Sequence, residues 1–235
     1  MDEELFIELN CPGCGGTIAF PEHRAGLLEE CPVCMGALLV PTDGRGEGKA
    51  VPLPIEAPRL RLRRFTQADC EATMMVFNDA AMVEAGCVPC DEAAMRSWIE
   101  KESNDRLTQP EEGLQLALEL KDGGAIVGFV TLHCVDLDRF QATISAGVMG
   151  GRRRQGYATE ALRALVEFCL RDLGMHRVAA SCESTNTAAR CAFERAGLRG
   201  EGEFKQDRLK DGIWVNTVYY ARLQEELGAA PAPES

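Results

Sequence analysis

The segment GVMGGRRRQGYATEAL, residues 147–162, decides how the rest of the chain is interpreted. Strand-like apolar residues precede it and apolar residues follow it at helical spacing, so it predicts a strand, a glycine-containing turn and a helix in direct succession. It also concentrates arginines in a protein of 235 residues whose formal net charge is −12. A nucleic-acid backbone, a small phosphorylated ligand or solvent alone could balance this local positive charge.

The overall composition disfavours nucleic acid. Binding without sequence preference depends on many Lys and Arg contacts to phosphates, and a chain with a pI near 4.8 is poor in them. We therefore expect no direct contact with nucleic acid. The chain also lacks an apolar run long enough to span a membrane and begins with an acidic segment, which predicts a cytoplasmic protein that does not contact membranes.

The turn in this segment is suited to a compact anion. The first N–H groups of a helix have no partner within the helix and point toward whatever occupies the turn before it. Gly156 and Ala158 keep large side chains away from a phosphate that approaches the backbone. The pattern differs from the GxxxxGK[ST] and GxGxxG motifs of nucleoside triphosphate and dinucleotide sites. A pyrophosphate is therefore the favoured ligand.

Residues 153–158, RRQGYA, match the [QR]xxGx[GA] turn of the GNAT N-acetyltransferases, and the chain resembles this family over most of residues 59–224. RLRLRRFTQAD is similar to the opening strand, and GYATEALRALVEFC to the cofactor helix. STNTAARCAFERAGL and GEGEFKQDRLKDGIWVNTVYYARL resemble the second helix and the closing hairpin of the RimJ/RimL-like ribosomal-protein-acetyltransferase branch. The resemblance implies an α+β (mixed α/β) GNAT fold, with a central, mostly antiparallel sheet flanked by helices.

The resemblance also implies acetyl-CoA as co-substrate and assigns residues to it. The backbone at Val148 and Met149 would meet the pantetheine arm, and Asn186 would hydrogen-bond the cofactor near its reactive end, besides being a candidate helix cap. The pyrophosphate would be wrapped by Arg153, Arg154, Gln155, Gly156, Tyr157 and Ala158. We expect Glu160 to serve the first turn of the helix, where the dipole favours an acid.

The implied reaction is the attack of a neutral amine on the thioester, which needs an acceptor for the amine proton and a proton for the departing thiolate. The resemblance matches Glu201 to a glutamate of the closing hairpin, and we expect a dry cleft to raise its pKa so that it acts as the base. Ala189 and Phe193 stand where the family often carries a hydroxyl acid. Water, Tyr219 or Tyr220 would then protonate the thiolate.

Two CxxC pairs near the start of the chain predict a metal site. Cys11 and Cys14 precede Cys31 and Cys34 at the spacing of a four-thiolate, closed structural zinc site. The segment also resembles bacterial zinc ribbons of the CPxCG type. A third pair, Cys87 and Cys90, has no partners at ligand spacing, and we interpret it as a loop with two thiols.

The composition divides the chain into four parts. We predict a zinc ribbon over 1–41, a Gly/Pro-rich linker over 42–58, a GNAT domain over 59–227 and a flexible tail over 228–235. The three histidines are not at ligand spacing to one another and receive no role.

The expected activity is N-acetyl transfer from acetyl-CoA to an amine. A protein N-terminus or another cationic amine is the expected acceptor, because an acidic surface attracts cations. The alternative is a zinc-ribbon adaptor, which docks to a protein partner and carries a non-catalytic acetyl-CoA sensor.

Overall fold

The computed structural model describes residues 6–25, 28–34, 36–41, 49–50, 53–101, 114–136 and 140–227. The predicted tail over 228–235 lies outside these ranges. Within them, the α-helices are α1 (Cys70–Phe77), α2 (Ala80–Glu84), α3 (Glu92–Lys101), α4 (Tyr157–Glu167) and α5 (Thr187–Ala196). None of the described helices has the length and apolar character required to cross a bilayer.

The first strands build two small sheets. They are β1 (Phe6–Asn10), β2 (Thr17–Pro21), β3 (Leu28–Glu30), β4 (Ala37–Leu39) and β5 (Lys49–Ala50). β1 and β2 form one antiparallel hairpin, and β3, β4 and β5 form a second antiparallel sheet. Their shared core is small and includes two cysteines: Ile7, Leu9, Cys11, Ile18, Cys31, Leu38 and Val40. A core of this size contributes little hydrophobic stabilisation by itself.

The remaining strands form one eight-stranded sheet. They are β6 (Ile55–Glu56), β7 (Leu60–Arg63), β8 (Leu114–Leu120), β9 (Ile126–Asp136), β10 (Gln141–Val148), β11 (Arg177–Glu183), β12 (Arg199–Lys210) and β13 (Ile213–Leu223). Their order is β12-β13-β11-β10-β9-β8-β7-β6, and only the β10–β11 pair is parallel. The predicted mixed α/β fold with a mostly antiparallel sheet is confirmed.

The sheet is covered on both faces. Alternate residues of β10, Ala142, Ile144 and Val148, share the main core with α4, including its Leu162 and Leu165. A second core lies on the opposite face, where α1 and α3 pack against β8 and β9. Because side chains alternate along a strand, Thr143, Ser145 and Gly147 point to this second face.

The range 42–58, predicted to be a linker, contains two short strands. β5, in the middle of that range, pairs with β4, and β6, near its end, pairs with β7. Part of this backbone therefore finds sheet partners, which composition alone does not reveal. Residues 42–48 lie outside the described ranges.

Candidate active site

The main sheet opens between its two parallel strands. β10 pairs with β11 only from Gln141 to Thr143, whereas β10 stays paired with β9 as far as Val148. Beyond Ala179, the residue opposite Thr143, β11 instead pairs with β13 alone. A wedge-shaped gap therefore runs along the last residues of β10.

The hydrogen-bond pattern shows which backbone groups face this gap. The N–H of Met149 donates to the carbonyl of Val127, 3.0 Å away, toward β9. Because backbone groups point alternately to the two sides of a strand, Ala146 and Val148 direct theirs toward the gap. The expectation for Val148 agrees with this geometry. Met149 differs, because its N–H is bonded to Val127 and its carbonyl accepts from Arg152 at 2.9 Å.

Next to the gap, the backbones of β9 and β10 approach each other closely. A Cβ on Gly128 would lie 2.1 Å from the carbonyl oxygen of Gly147, so only glycine permits β9 and β10 to approach here. A Cβ on Gly147 would lie 2.5 Å from the Met82 methyl group. Gly128 thus lets β9 lie close to β10 on the side away from β11, and Gly147 lets Met82 of α2 pack against β10 on the second face.

The predicted turn follows β10 and leads into α4. Gly156 has φ of 83° and is the N-cap of α4, but it provides no side-chain acceptor. By contrast, the carboxylate of Asp79 caps α2 and the amide oxygen of Asn186 caps α5. The first N–H groups of α4 therefore remain available to an anion, as the sequence predicts.

Arg59, which directly precedes β7, bonds residues of this turn and of α4. Its backbone N–H and its Nε donate to the two carboxylate oxygens of Glu160, at 2.6 and 2.8 Å. Its Nη1 donates to the carbonyl of Gln155 at 3.0 Å, and its guanidinium lies 4.7 Å from the centre of the Tyr157 ring. Glu160 thus anchors the first turn of α4 to the start of β7, a role beyond the dipole effect predicted for it.

The arginines of the turn divide into two kinds. Arg153 is exposed like its neighbours, but its guanidinium is bonded to the backbone: its Nε donates to the carbonyl of Val148 at 3.0 Å, and its Nη2 to the carbonyl of Ala81 at 2.8 Å. Its side chain therefore ties β10 to α2, and only its backbone can follow the pyrophosphate as predicted. Arg152 and Arg154 are exposed beside the turn, where they can add positive charge to the anion site.

Asn186 is a helix cap, as one sequence interpretation has it. Its Oδ1 accepts from the N–H of Ala189 at 3.0 Å. The amide Nδ2 takes no part in the cap and can meet the cofactor, so the two expected roles can use different atoms of one side chain.

The pKa expectation for Glu201 is wrong. The side chain is 42% exposed and forms an ion pair with Arg177, whose Nη1 donates to Oε1 at 2.6 Å. These hydrogen bonds hold the pKa of Glu201 below its usual range. The ion pair thus favours the carboxylate form of Glu201, the opposite of the raised pKa expected in a dry cleft.

The two candidate tyrosines lie on opposite faces of the sheet. Tyr220 is 2% exposed; its hydroxyl accepts from Arg190 at 3.2 Å and donates to Glu194 at 3.1 Å. Phe193 packs against Tyr220 with ring centres 5.4 Å apart and the ring planes tilted by 54°. Tyr219 packs against an exposed phenylalanine of β12 on the other face. Tyr219 is therefore the better placed of the two to protonate a thiolate in the open part of the sheet.

The four cysteines of the predicted zinc site lie together, with all four sulfur atoms within 4.8 Å of one another. Sγ of Cys11 is 3.7 Å from that of Cys34, and Sγ of Cys14 is 3.8 Å from that of Cys31. Tetrahedral Zn–S bonds of about 2.3 Å require sulfur separations of about 3.8 Å. The arrangement therefore matches a closed four-thiolate shell.

The sulfurs also interact electrostatically. A hydrogen bond from the backbone of Cys14 holds the pKa of Cys11 at about 6. The Gly36 backbone lowers the pKa of Cys34, but the neighbouring thiol of Cys11 and burial outweigh it and raise that pKa to about 11. Four thiolates this close need a cation to be charged together, because like charges disfavour ionisation.

The sequence profile described as an acetyltransferase (GNAT) domain matches residues 59–199, which is more than half of the chain. The chain belongs to the GNAT acetyltransferase family. This membership confirms the expected activity: the protein transfers acetyl from acetyl-CoA to an amine. It also explains why an opened β10–β11 pair, a glycine turn and an uncapped helix occur together.

Individual relatives agree with this membership. The uncharacterized N-acetyltransferase YnaD of Bacillus subtilis (strain 168) is 35% identical over 178 residues, which are 73% of this chain and 98% of YnaD. A GNAT-family acetyltransferase from Bacillus anthracis is 26% identical with a TM-score of 0.61, covering 73% of this chain and 99% of that one. RimL, a ribosomal L7/L12 alpha-N-protein acetyltransferase solved with coenzyme A, shares the fold at 17% identity and a TM-score of 0.61, over 73% and 97% of the two chains.

Some residues that shape the site escaped the sequence analysis. Arg59 lies 101 residues from Glu160 in sequence, and no short sequence pattern predicts that the two residues bond. Asp79 has a local signal, an aspartate just before a helical segment, but the Gly150 N–H that it also accepts at 2.9 Å is distant in sequence. A third case is the contact between His133 and Ser145, which lie 12 residues apart in sequence.

Proposed function

We propose that acetyl-CoA lies across the wedge-shaped gap with its pyrophosphate at the first turn of α4. The observation that carries this proposal is the combination of an uncapped helix start at Gly156 with a neighbouring strand that has lost its partner. The backbone of residues 153–158 wraps the pyrophosphate, while Val148 bonds the pantetheine arm. The N–H groups facing the gap, at Ala146 and Val148, are suited to polarise the thioester carbonyl.

We propose that the acceptor is a protein N-terminal amine or another cationic amine. The net charge of −12 favours the encounter with cationic molecules, and RimL is named for acetylation of an alpha-amino group on a ribosomal protein. The amine must be neutral when it attacks, so the site has to remove one proton.

Thiol release from acetyl-CoA in the presence of different amines tests this function. The panel contains a basic peptide with a free N-terminus, the same peptide with an acetylated N-terminus, an acidic peptide and free amino acids. We expect the free basic peptide to react fastest, and we expect added salt to reduce its advantage over the acidic peptide. Equal rates for both peptides would contradict the cationic acceptor. Tight acetyl-CoA binding without release from any amine would favour the sensor alternative.

We further propose that Cys11, Cys14, Cys31 and Cys34 hold a structural zinc ion. The sulfur separations support a tetrahedral shell, and the small core of β1–β5 makes a metal a major source of folding free energy for this unit. The closed shell leaves no position for a substrate. Free thiolate ligands persist in a reducing compartment, which agrees with a cytoplasmic location.

A further inference from the structure

His133 and Ser145 form a side-chain pair on the face of the sheet opposite α4. His133 lies on β9 directly across from Thr143, and Ser145 is two residues further along β10. Nε2 of His133 and Oγ of Ser145 are 2.8 Å apart, a distance typical of a hydrogen bond. The hydroxyl of Ser145, just beyond the end of the β10–β11 pairing, is thus bonded to the imidazole of the adjacent strand.

This pair lies beside the proposed reacting centre. Ser145 belongs to the part of β10 that has no β11 partner, and it directly precedes Ala146, whose backbone faces the gap. α4 covers the other face through Leu162 and Leu165. An amine that reaches the thioester from the face not covered by α4 therefore meets Ser145.

The protonation state of the imidazole suits a proton acceptor. His133 is exposed at the sheet surface, and desolvation by its neighbours lowers the pKa of its ring. The lower pKa favours the neutral imidazole, in which one nitrogen carries a free lone pair. On the same face, His133 has neutral neighbours in Thr131 of its own strand and Gln115 of β8. Charged side chains elsewhere on the sheet include the ion pairs Arg177–Glu201, Glu183 with Arg208 and Lys210, and Arg63 with Asp69 and Glu119.

We infer that Ser145 and His133 together accept the proton of the attacking amine. In this step the amine lone pair forms the new N–C bond, and the C–S bond breaks with its electron pair leaving on sulfur. The amine proton passes to Oγ of Ser145 as the Ser145 proton passes to Nε2 of His133. The imidazolium then releases its proton to water, and the thiolate takes one from water. Ser145 touches the amine, whereas His133 acts through Ser145. This inference rests on acetyl transfer at the proposed gap.

Three variants test the pair: His133→Gln, Ser145→Ala and, as a matched control, the exposed His176→Gln. Thiol release from acetyl-CoA is followed with the amine of the panel that reacts fastest. If no amine reacts faster than water, the hydrolysis of acetyl-CoA is followed instead. Calorimetric titration with acetyl-CoA, made on the same samples, reports separately on the proposed cofactor site. We expect kcat to fall about 100-fold in the His133 and Ser145 variants, with acetyl-CoA affinity within twofold of the wild type and the control unchanged.

Chemical rescue distinguishes proton transfer from a structural role. Added imidazole should restore part of the lost kcat in a fourth variant, His133→Ala, and none in Ser145→Ala, because only His133→Ala leaves both a space and a hydroxyl to bond it. In parallel, a proton NMR titration of the wild type should place the His133 midpoint below the ordinary 6.5. The inference is overturned if kcat of both variants stays within threefold of the wild type, or if imidazole has no effect. If His133→Gln does not fold, the kcat of Ser145→Ala and the NMR titration midpoint of His133 in the wild type test the inference.

Discussion

The guanidinium and backbone N–H of Arg59 hold both carboxylate oxygens of Glu160, and this pair connects the first long strand of the GNAT domain to the start of the cofactor helix. The same arginine reaches the Gln155 carbonyl within the turn. The conformation of the turn therefore depends on a residue that has no place in the motif itself.

Replacing Arg59 should weaken acetyl-CoA binding more than it slows the chemical step. In Arg59→Ala the turn loses bonds to Gln155 and Glu160, and we expect the Kd for acetyl-CoA to rise about fivefold to tenfold, equivalent to about 1 kcal/mol. Calorimetry measures the Kd, and steady-state assays should show kcat within twofold. The control is Arg61→Ala on the same strand, which loses ion pairs with Glu56 and Glu119 away from the turn. An equal rise in the Kd for acetyl-CoA in both variants would mean that the loss of a surface charge explains the effect.

Two substitutions of Asn186 separate its role as a helix cap from its proposed contact with the cofactor. Asn186→Asp keeps an oxygen for the Ala189 N–H but removes the amide donor, so we expect a free energy of unfolding within about 0.5 kcal/mol of the wild type. Asn186→Ala should lose about 1 kcal/mol because the cap is gone. Both should raise the KM for acetyl-CoA about fivefold if Nδ2 bonds the cofactor. An unchanged KM in both would leave Asn186 as a cap only.

Glu201→Gln should affect stability more than catalysis. We expect kcat/KM at neutral pH to stay within threefold of the wild type, because the ion pair with Arg177 keeps Glu201 from accepting a proton. Since the folded-state pKa is depressed, the stabilisation is present above the unfolded value of about 4.3 and is lost as the pH falls through the lower folded value. Denaturation of both proteins between pH 7 and pH 3 measures this difference. A loss of kcat/KM far beyond threefold would restore Glu201 as the base.

Cys31→Ser should remove the metal from the four-thiolate site. We expect zinc per chain, measured by elemental analysis of purified protein, to fall from about one equivalent to less than half, because three thiolates bind more weakly than a closed shell. The matched control is Cys87→Ser from the third CxxC pair, where zinc should remain at about one equivalent. Wild-type protein that holds less than half an equivalent, with its thiols free, would contradict the zinc assignment.

The sequence alone determined the features that depend on short-range chemistry. Glycine at 156 and the helical spacing that follows predict the turn and α4, since backbone conformation and periodicity are local properties. The spacing of Cys11, Cys14, Cys31 and Cys34 likewise predicts which thiols come together, because a tight turn brings each pair into reach of one ion.

Only the tertiary structure decided which groups the polar and charged side chains of the site bond. Arg153 belongs to the motif, yet its guanidinium bonds backbone carbonyls of β10 and α2. Glu201 is matched to a base by resemblance, yet Arg177 holds it as a carboxylate. His133 and Ser145 have no motif, but strand register brings them within 2.8 Å. Ala81, Arg177 and His133 lie 72, 24 and 12 residues from the side chains that they bond, and the protonation and direction of a side chain depend on such partners.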